Sequence, residues 1–172
     1  NINDTQKIDG DIFLHRVEKN KLSLSIDDEF TISIDKERRN IIRNNHSATH
    51  LLHSSLREVL GDHISQKGSL VNEEKLRFDF TYSEQITNSK IEKIEQLVNV
   101  TIRADLKSNM KYLPAKEAMQ SGAIALFGER YPENVRVISF KDERNENALS
   151  SMELCGGTHV ESTGQIGMFK II

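Results

Sequence analysis

The strongest chemical signal in the sequence is a pair of histidines, His46 and His50, in a segment predicted to be helical. Residues four apart lie on one face of a helix, so both imidazoles can reach one metal ion. Ser47 stands where the metalloprotease helix requires a glutamate base, which excludes that class of enzyme. By itself such a pair is more typical of a solvated polar face, so a metal site needs further ligands.

A second pair of metal-binding side chains lies far downstream, in Cys155-Gly156-Gly157-Thr158-His159. A thiolate and an imidazole on either side of a flexible glycine pair can fold onto the same ion. Three imidazoles and one thiolate form a donor set that suits Zn²⁺. Taken singly, the cysteine reads as a small buried apolar residue and the glycines as a turn. Together the two pairs predict a zinc site of His46, His50, Cys155 and His159.

Two further residues, His53 and Arg57, share the helix face of the first histidine pair. The apolar face of the same helix lies roughly opposite and consists of Ala48, Leu51, Leu52, Leu56, Val59 and Leu60. The histidines are therefore predicted to lie outside the core and to face water, a ligand or another part of the fold. His53 is a rival ligand. Because four ligands are already available, we expect His53 to lie next to the metal ligands without binding the ion itself.

The elements that must position these residues are a mixture of strands and helices without regular βαβ alternation, which predicts the α+β class. Residues 10–35 are predicted to form a small antiparallel sheet from the alternating runs at 12–14, 22–26 and 30–34. We interpret this sheet as part of a β-barrel whose beginning is missing. The chain starts with Asn1 rather than Met and ends in an apolar run at 168–172, which indicates an excised domain.

The remaining elements follow from caps, turns and periodicity. The predicted elements are a helix at 45–60 capped by Asn44-Asn45 and ended by Gly61, strands at 64–71 and 76–82 joined by a turn at 72–75, a helix at 87–107, a short helix from Pro114 to Gly122, a strand at 135–140, a loop at 142–151 and a final strand at 166–172. The domain prediction is a partial β-barrel or linker subdomain at 1–40, followed by a zinc-binding domain at 41–172.

The composition limits the kinds of nucleic-acid contact and the cellular location that can be expected. The formal net charge is −3, so any contact with nucleic acid must come from a local patch. A single cysteine excludes an internal disulfide, and no segment reads as a secretion signal, so a cytoplasmic location is predicted. No apolar run has the length needed to span a membrane.

Six segments, taken in order, resemble one known family. They are His46-Ser-Ala-Thr-His50-Leu-Leu-His, Gln66-Lys-Gly-Ser, Leu76-Arg-Phe-Asp-Phe, Gly122-Ala-Ile-Ala-Leu-Phe-Gly-Glu, Glu153-Leu-Cys-Gly-Gly-Thr-His159 and Thr163-Gly-Gln-Ile-Gly. The resemblance is to the editing domain of alanyl-tRNA synthetases and of freestanding editing proteins of the same type. It covers about residues 35–172, and the preceding strands look like the end of the barrel that leads into that domain.

The resemblance implies a fold, a cofactor and a reaction. The fold would be the two-layer editing fold shared with threonyl-tRNA synthetases, with Zn²⁺ held by His46, His50, Cys155 and His159. The reaction would be hydrolysis of Ser-tRNA and Gly-tRNA made by mistake on alanine tRNA, and the partner would be the acceptor end of that tRNA. The Cys155-Gly-Gly-Thr-His159 segment favours the alanyl branch, because the threonyl branch carries a CxGPH-like segment. The ATP-dependent catalytic domain of a synthetase is not in this chain.

Three residues are candidates for catalysis or selection. Gln66 matches the position that helps the family to select the mischarged amino acid, and its amide can read a serine hydroxyl. Thr49 is a candidate pocket-lining residue. Asp79 is a candidate carboxylate for orienting a metal-bound histidine. The plainer interpretations are a strand-surface glutamine, a helix-surface threonine and the solvated side of a strand.

Five cations are candidates for contacts with tRNA phosphates: Arg38, Arg39, Arg43, Lys67 and Arg77. For any one of them a solvated charge is an equally good interpretation. Two functional alternatives stay open, namely a structural-zinc RNA-binding module without hydrolytic activity and an editing domain for threonine tRNA. The oligomeric state has no signal in the sequence.

Overall fold

The computed structural model describes residues 2–8, 12–17, 25–125, 131–145 and 147–172. The chain folds as two compact units, Asn1–Ser33 and Ile34–Ile172. Helices and small antiparallel sheets are mixed along the chain, which confirms the α+β class. None of the helices in the described ranges has the length and apolarity that crossing a bilayer requires.

The described residues of the first unit form an antiparallel pair of strands, β1 (Ile2–Ile8) and β2 (Ile12–Val17). The predicted run at 12–14 is confirmed within β2, whereas β1 was not predicted because polar residues interrupt its alternation. The predicted run at 22–26 lies partly outside the described residues. The predicted strand at 30–34 is wrong, since residues 28–35 pair with no described strand after a turn in which Asp27 takes a φ of 77°. The described residues of this unit show no closed barrel.

The first helix, α1 (Lys36–Leu60), is longer than predicted. It begins at Asp35, whose Oδ1 accepts a hydrogen bond from the Arg38 backbone N–H at 3.0 Å. The predicted cap at Asn44-Asn45 is wrong, because the side chain of Asn45 instead donates to the backbone carbonyl of Asn72 at 2.7 Å. The predicted domain boundary after residue 40 falls inside α1, and the two units divide between residues 33 and 34. Gly61 ends α1 as predicted, with a φ of 116°.

A hairpin and a second helix follow α1. The hairpin consists of β3 (Gln66–Val71) and β4 (Leu76–Phe80), and the side chain of Asn72 accepts two backbone N–H bonds in the turn between them. The helix α2 (Asn88–Arg103) starts at the cap Thr87 and packs against α1. The main core lies between these elements and includes Leu51, Leu56, Ile64, Ile94, Val98, Ile138 and Phe140. This core holds α1 in place, and α1 carries the first histidine pair.

A three-stranded antiparallel sheet carries the second half of the motif. It contains β5 (Ser108–Pro114), β6 (Asn134–Phe140) and β7 (Ser151–Leu154) in that order, with the short helix α3 (Ala115–Gln120) after β5. The strand β5 was not predicted, and the predicted loop at 142–151 ends one residue early because Ser151 pairs with Phe140. Because β7 ends at Leu154, it delivers the next residue, Cys155, directly to the edge of α1.

The predicted strand at 166–172 is wrong. A 3₁₀ turn at Thr163–Ile166 precedes residues that pair with no strand in the described part of the chain. The side-chain amide of Asn99 takes the place of a partner strand, since it bonds both the N–H and the carbonyl of Phe169. Glu95 accepts the N–H of Ile171 at 2.9 Å in the same way. Side chains of α2 therefore satisfy backbone groups that a ladder would otherwise pair.

The buried hydroxyl of Thr163 joins this last segment to the end of α2. Its Oγ1 donates to the carbonyl of Thr101 at 2.8 Å and accepts the N–H of Leu106 at 2.8 Å. The side chain is fully buried, so water cannot replace either partner. This one hydroxyl therefore satisfies two backbone groups at the end of a helix.

We expect Thr163→Val to lower the free energy of unfolding by about 1–3 kcal/mol, because it leaves a buried N–H without a partner. The matched control is Thr101→Val. The hydroxyl of Thr101 shares the carbonyl of Leu97 with a helix hydrogen bond, so its loss should cost less than about 1 kcal/mol. Urea unfolding of both variants measures the difference, and equal losses would contradict this role of Thr163.

Candidate metal centre

The helix α1 and the loop after β7 bring four potential metal ligands to one point. One ligand atom from each of His46, His50, Cys155 and His159 lies within 4.8 Å of the others. The Sγ atom of Cys155 is 3.4 Å from Nε2 of His46 and 3.3 Å from Nε2 of His159. The convergence predicted from the two distant sequence segments is therefore present in the fold.

The second ring nitrogen of each imidazole faces the protein. Nδ1 of His159 lies 3.2 Å from Oγ of Ser47, which also accepts the N–H of Val160 at 3.0 Å. The ring of His46 hydrogen-bonds the backbone of Thr158. Nε2 of His50 lies 3.7 Å from a carboxylate oxygen of Glu153. Such partners fix the orientation of a ring and leave its other nitrogen free to bind a metal.

The donor set fits a metal ion of the zinc type. Nδ1 of His50 is buried and has no hydrogen-bond partner among the described residues, although buried polar atoms are rarely left unpaired. Burial, followed by the charges of His46 and Arg136, lowers the pKa of His159 to about 3. Burial also holds the pKa of His50 well below its ordinary value, so both rings are neutral at pH 7, which is the form that binds metal.

The thiol of Cys155 is partly buried, and this burial raises its pKa above the ordinary value. The backbone N–H of Gly157 donates to Sγ at 3.4 Å and acts in the opposite direction. Without a metal the side chain is therefore a thiol at pH 7. A bound dication has to displace that proton, so metal binding is expected to release a proton and to weaken as the pH falls.

Glu153 is a site residue that the sequence analysis did not single out. Its carboxylate lies between His53 and His50, 3.1 Å from Nδ1 of the former and 3.7 Å from Nε2 of the latter. Burial raises the pKa of the Glu153 carboxyl, and the hydrogen bond from His53 opposes this shift. Side chains two residues apart in a strand lie on the same face, so Glu153 lies on the same face as Cys155. This alternation could have identified Glu153 as a site residue from the sequence.

The histidine stripe of α1 faces another part of the fold rather than water. Both His50 and His53 are buried, with 4% and 1% of their surface exposed. His53 is not one of the four grouped ligands and instead donates to Glu153. Its ring also lies 5.0 Å from the ring of Phe78 in β4. A polar stripe opposite an apolar face is thus buried because α1 is covered on both sides.

The other candidates for catalysis or selection make contacts of their own. Nε2 of Gln66 donates to Oγ of Ser69 at 3.1 Å, and Oγ1 of Thr49 donates to the carbonyl of Asn45 at 2.9 Å. Asp79 forms an ion pair with Arg77 at 3.0 Å. In the described part of the chain, no hydrogen bond or ion pair joins Gln66, Thr49 or Asp79 to the four ligands. The carboxylate beside the ligand histidines belongs to Glu153.

The five predicted tRNA-binding cations lie on two elements. Arg38, Arg39 and Arg43 lie in the first turns of α1, while Lys67 and Arg77 lie on β3 and β4. Arg38 forms an ion pair with Glu73 at 3.1 Å. Arg43 is partly buried, and its Nε has no described partner. Their role in binding RNA stays a prediction.

Because Gly157 has no side chain, the loop can lie close to the ring of His46, and substitution of Gly157 tests this close approach. A Cβ built on Gly157 would overlap the ring of His46, whereas a Cβ on Gly156 would meet nothing within 4 Å. We expect Gly157→Ala to weaken zinc binding on the order of tenfold or more, since the ligand ring must move. Gly156→Ala, the matched control, should bind zinc normally. Competition with a chromophoric chelator measures both affinities, and equal values would refute the close approach.

The chain is similar to known proteins over almost its full length. It is 47% identical over 171 residues to the alanine--tRNA ligase of Wolbachia pipientis, covering 99% of this chain and 18% of that protein. The corresponding identities are 45% over 170 residues for Caulobacter vibrioides and 48% over 170 residues for Idiomarina loihiensis, covering 98% and 99% of this chain and 19% of each relative. The chain thus spans about a fifth of the length of these relatives.

A domain family also matches the C-terminal part of the chain. The family is described as the threonyl and alanyl tRNA synthetase second additional domain, and it matches residues 135–172. This range contains β6, β7 and the loop that carries Cys155 and His159. Together with identities of 45–48% to three alanine--tRNA ligases, this match agrees with the resemblance inferred from the six sequence segments. Over almost its full length the chain is therefore similar to one segment of alanine--tRNA ligases, and its C-terminal part matches this additional domain.

Proposed function

We propose that the unit Ile34–Ile172 is an editing hydrolase with the two-layer editing fold. It removes serine and glycine wrongly attached to alanine tRNA, and it depends on Zn²⁺ held by His46, His50, Cys155 and His159. The observation that carries the proposal is the convergence of these four ligand atoms within 4.8 Å of one another. The relatives' name, alanine--tRNA ligase, indicates the tRNA on which such a domain would act.

The need for hydrolysis follows from the limits of binding energy. A pocket built for alanine cannot exclude glycine, which only lacks a methyl group, and it rejects an added hydroxyl poorly. Differences of this size are worth about 1–3 kcal/mol, or roughly 10- to 200-fold in selection. A ligase for alanine therefore benefits from a second site that cleaves the wrong ester after it has formed.

The residues around the candidate centre are suited to holding an ester in a fixed position. When bound, zinc would supply positive charge that favours the negative charge developing on the ester carbonyl. Ser47 hydrogen-bonds the ring of His159, and the carboxylate of Glu153 lies 3.7 Å from the ring of His50, so both rings have a polar neighbour before substrate arrives. Gln66 offers an amide that both donates and accepts hydrogen bonds, which suits the reading of a serine hydroxyl.

The number of protein ligands favours a positioning role for the metal. Catalytic zinc sites usually keep one position open, whereas four protein ligands are typical of a closed structural site. Cys155 and His159 lie on a glycine-containing loop, so one of them can be the looser ligand. We favour positioning of the substrate over direct activation of water, with Thr49 as a candidate pocket-lining residue and Asp79 as a candidate carboxylate for orienting a metal-bound histidine.

Cationic side chains would bind the tRNA acceptor end. The first turns of α1 present Arg38, Arg39 and Arg43, and the hairpin presents Lys67 and Arg77. The net charge of −3 makes such a local cluster necessary, because the molecule as a whole does not attract RNA. Translation-linked editing also agrees with the cytoplasmic location predicted from the single cysteine.

We expect Cys155→Ala to lose zinc and deacylation together, with hydrolysis of Ser-tRNA(Ala) falling more than about tenfold. Ser150→Ala, a change of similar size at an exposed neighbouring position, should retain both properties. Zinc content and release of labelled serine are measured on the same preparations.

Two outcomes of that experiment point to the alternatives. Stoichiometric zinc without ester cleavage in the unaltered chain, even with added tRNA-binding segments, would support the RNA-binding module. Faster cleavage of serine from threonine tRNA than from alanine tRNA would support the threonine-editing interpretation.

Selection of the amino acid is expected to depend on Gln66. The variant Gln66→His should retain zinc, because Gln66 has no described bond to the ligands, and should reduce the ratio of serine to alanine release. Gln85→His makes the same chemical change at an exposed position outside β3 and β4 and serves as the control. The kcat/KM values for Ser-tRNA(Ala) and Ala-tRNA(Ala) give the ratio. An unchanged ratio in Gln66→His would remove Gln66 from this role.

A further inference from the structure

The guanidinium of Arg136, in β6, contacts the loop that carries two of the four ligands. Its Nη1 donates to the carbonyl of Gly157 through a short hydrogen bond and to the carbonyl of Cys155 at 3.4 Å. The backbone carbonyl of Arg136 also accepts the N–H of Cys155 at 3.0 Å. Arg136 therefore bonds Cys155 through both its backbone and its side chain.

These bonds determine which way the peptide groups of the loop face. Arg136 thus binds the peptide units on either side of the Gly156–Gly157 peptide, and the N–H of Gly157 in that central peptide points at Sγ of Cys155, 3.4 Å away. The same orientation brings Gly157 against the ring of His46. Glycine-containing backbone has many alternative conformations, so a donor that bridges two of its carbonyls removes a large part of that freedom.

The guanidinium of Arg136 also makes a hydrogen bond on the edge that faces away from the loop. Its Nε donates to Sδ of Met110, which lies on the neighbouring strand β5. A planar guanidinium presents its donors in a fixed fork, and here one edge faces β5 while the other faces the loop. Lysine has a single ammonium on a flexible stem and cannot reproduce this geometry fully.

We propose that Arg136 is a positioning residue that holds the Cys155–His159 loop in the shape that binds metal. The inference rests on the metal centre of the proposed function, but it does not require that the chain hydrolyse an ester. Arg136 would act through the loop backbone and would contact neither the metal nor the reacting atoms.

Whether zinc affinity falls or rises when Arg136 is replaced distinguishes a positioning role from a purely electrostatic one. A guanidinium close to a dication repels it, so removal of the charge alone would strengthen zinc binding. Removal of a group that orients ligands weakens metal binding, typically by about 10- to 100-fold. The two roles therefore predict opposite changes in the same measurement.

The experiment compares three variants of the whole chain. Arg136→Met keeps the apolar stem and removes every donor, Arg136→Lys keeps the charge, and Arg144→Met removes an exposed arginine whose partner is Asp142. Zinc affinity is measured by chelator competition. The absorption of the Co²⁺-substituted protein reports thiolate ligation, and amide hydrogen exchange at residues 155–159 is followed without metal.

We expect Arg136→Met to weaken zinc binding by about 10- to 100-fold, with a weaker thiolate-to-cobalt band and faster exchange in the loop. Arg136→Lys should recover part of each loss, and Arg144→Met should match the unaltered chain. Unchanged or tighter zinc binding in Arg136→Met, at an unchanged melting temperature, would overturn the proposal. An equal loss in Arg144→Met would overturn it as well.

Failure of this inference is distinguishable from failure of the proposed function. If Arg136→Met loses zinc while the unaltered chain cleaves no aminoacyl ester, the positioning role stands and the editing function falls. If the unaltered chain cleaves Ser-tRNA(Ala) and Arg136→Met binds zinc normally, the editing function stands and the positioning role falls.

Discussion

The contact between one face of α1 and the loop after β7 is the constraint on which the candidate centre depends. His46 and His50 are separated by one helical turn, so their spacing is set by helix geometry alone. Cys155 and His159 reach them only because β7 ends where it does and because Gly157 has no side chain to displace His46. A shift of either element by a single residue would turn these ligands away from one another.

The centre also shows how a protein buries many polar groups in a small volume. Three imidazoles, a thiol and the carboxyl of Glu153 lie close together. His50 and Glu153 are buried, and His46, Cys155 and His159 are partly buried. Unpaired polar groups in such surroundings are costly. Nδ1 of His159 lies 3.2 Å from the hydroxyl of Ser47, and Nε2 of His50 lies 3.7 Å from the carboxylate of Glu153. The nitrogens left over face the shared point, and a metal ion is the partner that would satisfy them. Neutral rings and a removable thiol proton agree with this interpretation.

Hydrogen bonds from a few buried or partly buried side chains join segments that are distant in the chain. Thr163 joins the end of α2 to the last segment, Asn99 substitutes for a strand beside Phe169, and Arg136 joins β6 to the glycine loop. Each of these contacts satisfies backbone groups where regular secondary structure ends. The loop that carries Cys155 and His159 is thus held by specific hydrogen bonds as well as by apolar packing.

The sequence by itself determined the types of the four grouped side chains, the main helices, the hairpin at Asn72 and the likeness to alanine--tRNA ligases. These features depend on local spacing, capping residues and motifs, which neighbouring residues in the chain are sufficient to specify. Only the tertiary structure decided which side of α1 is buried, that Glu153 lies beside His50 and His53, and that Arg136 contacts the loop. It also decided that residues 30–34 and 167–172 form no strands, although both contain apolar residues. The physical reason is that a strand requires a partner and a buried side chain requires a neighbour, and both come from segments far away in the chain.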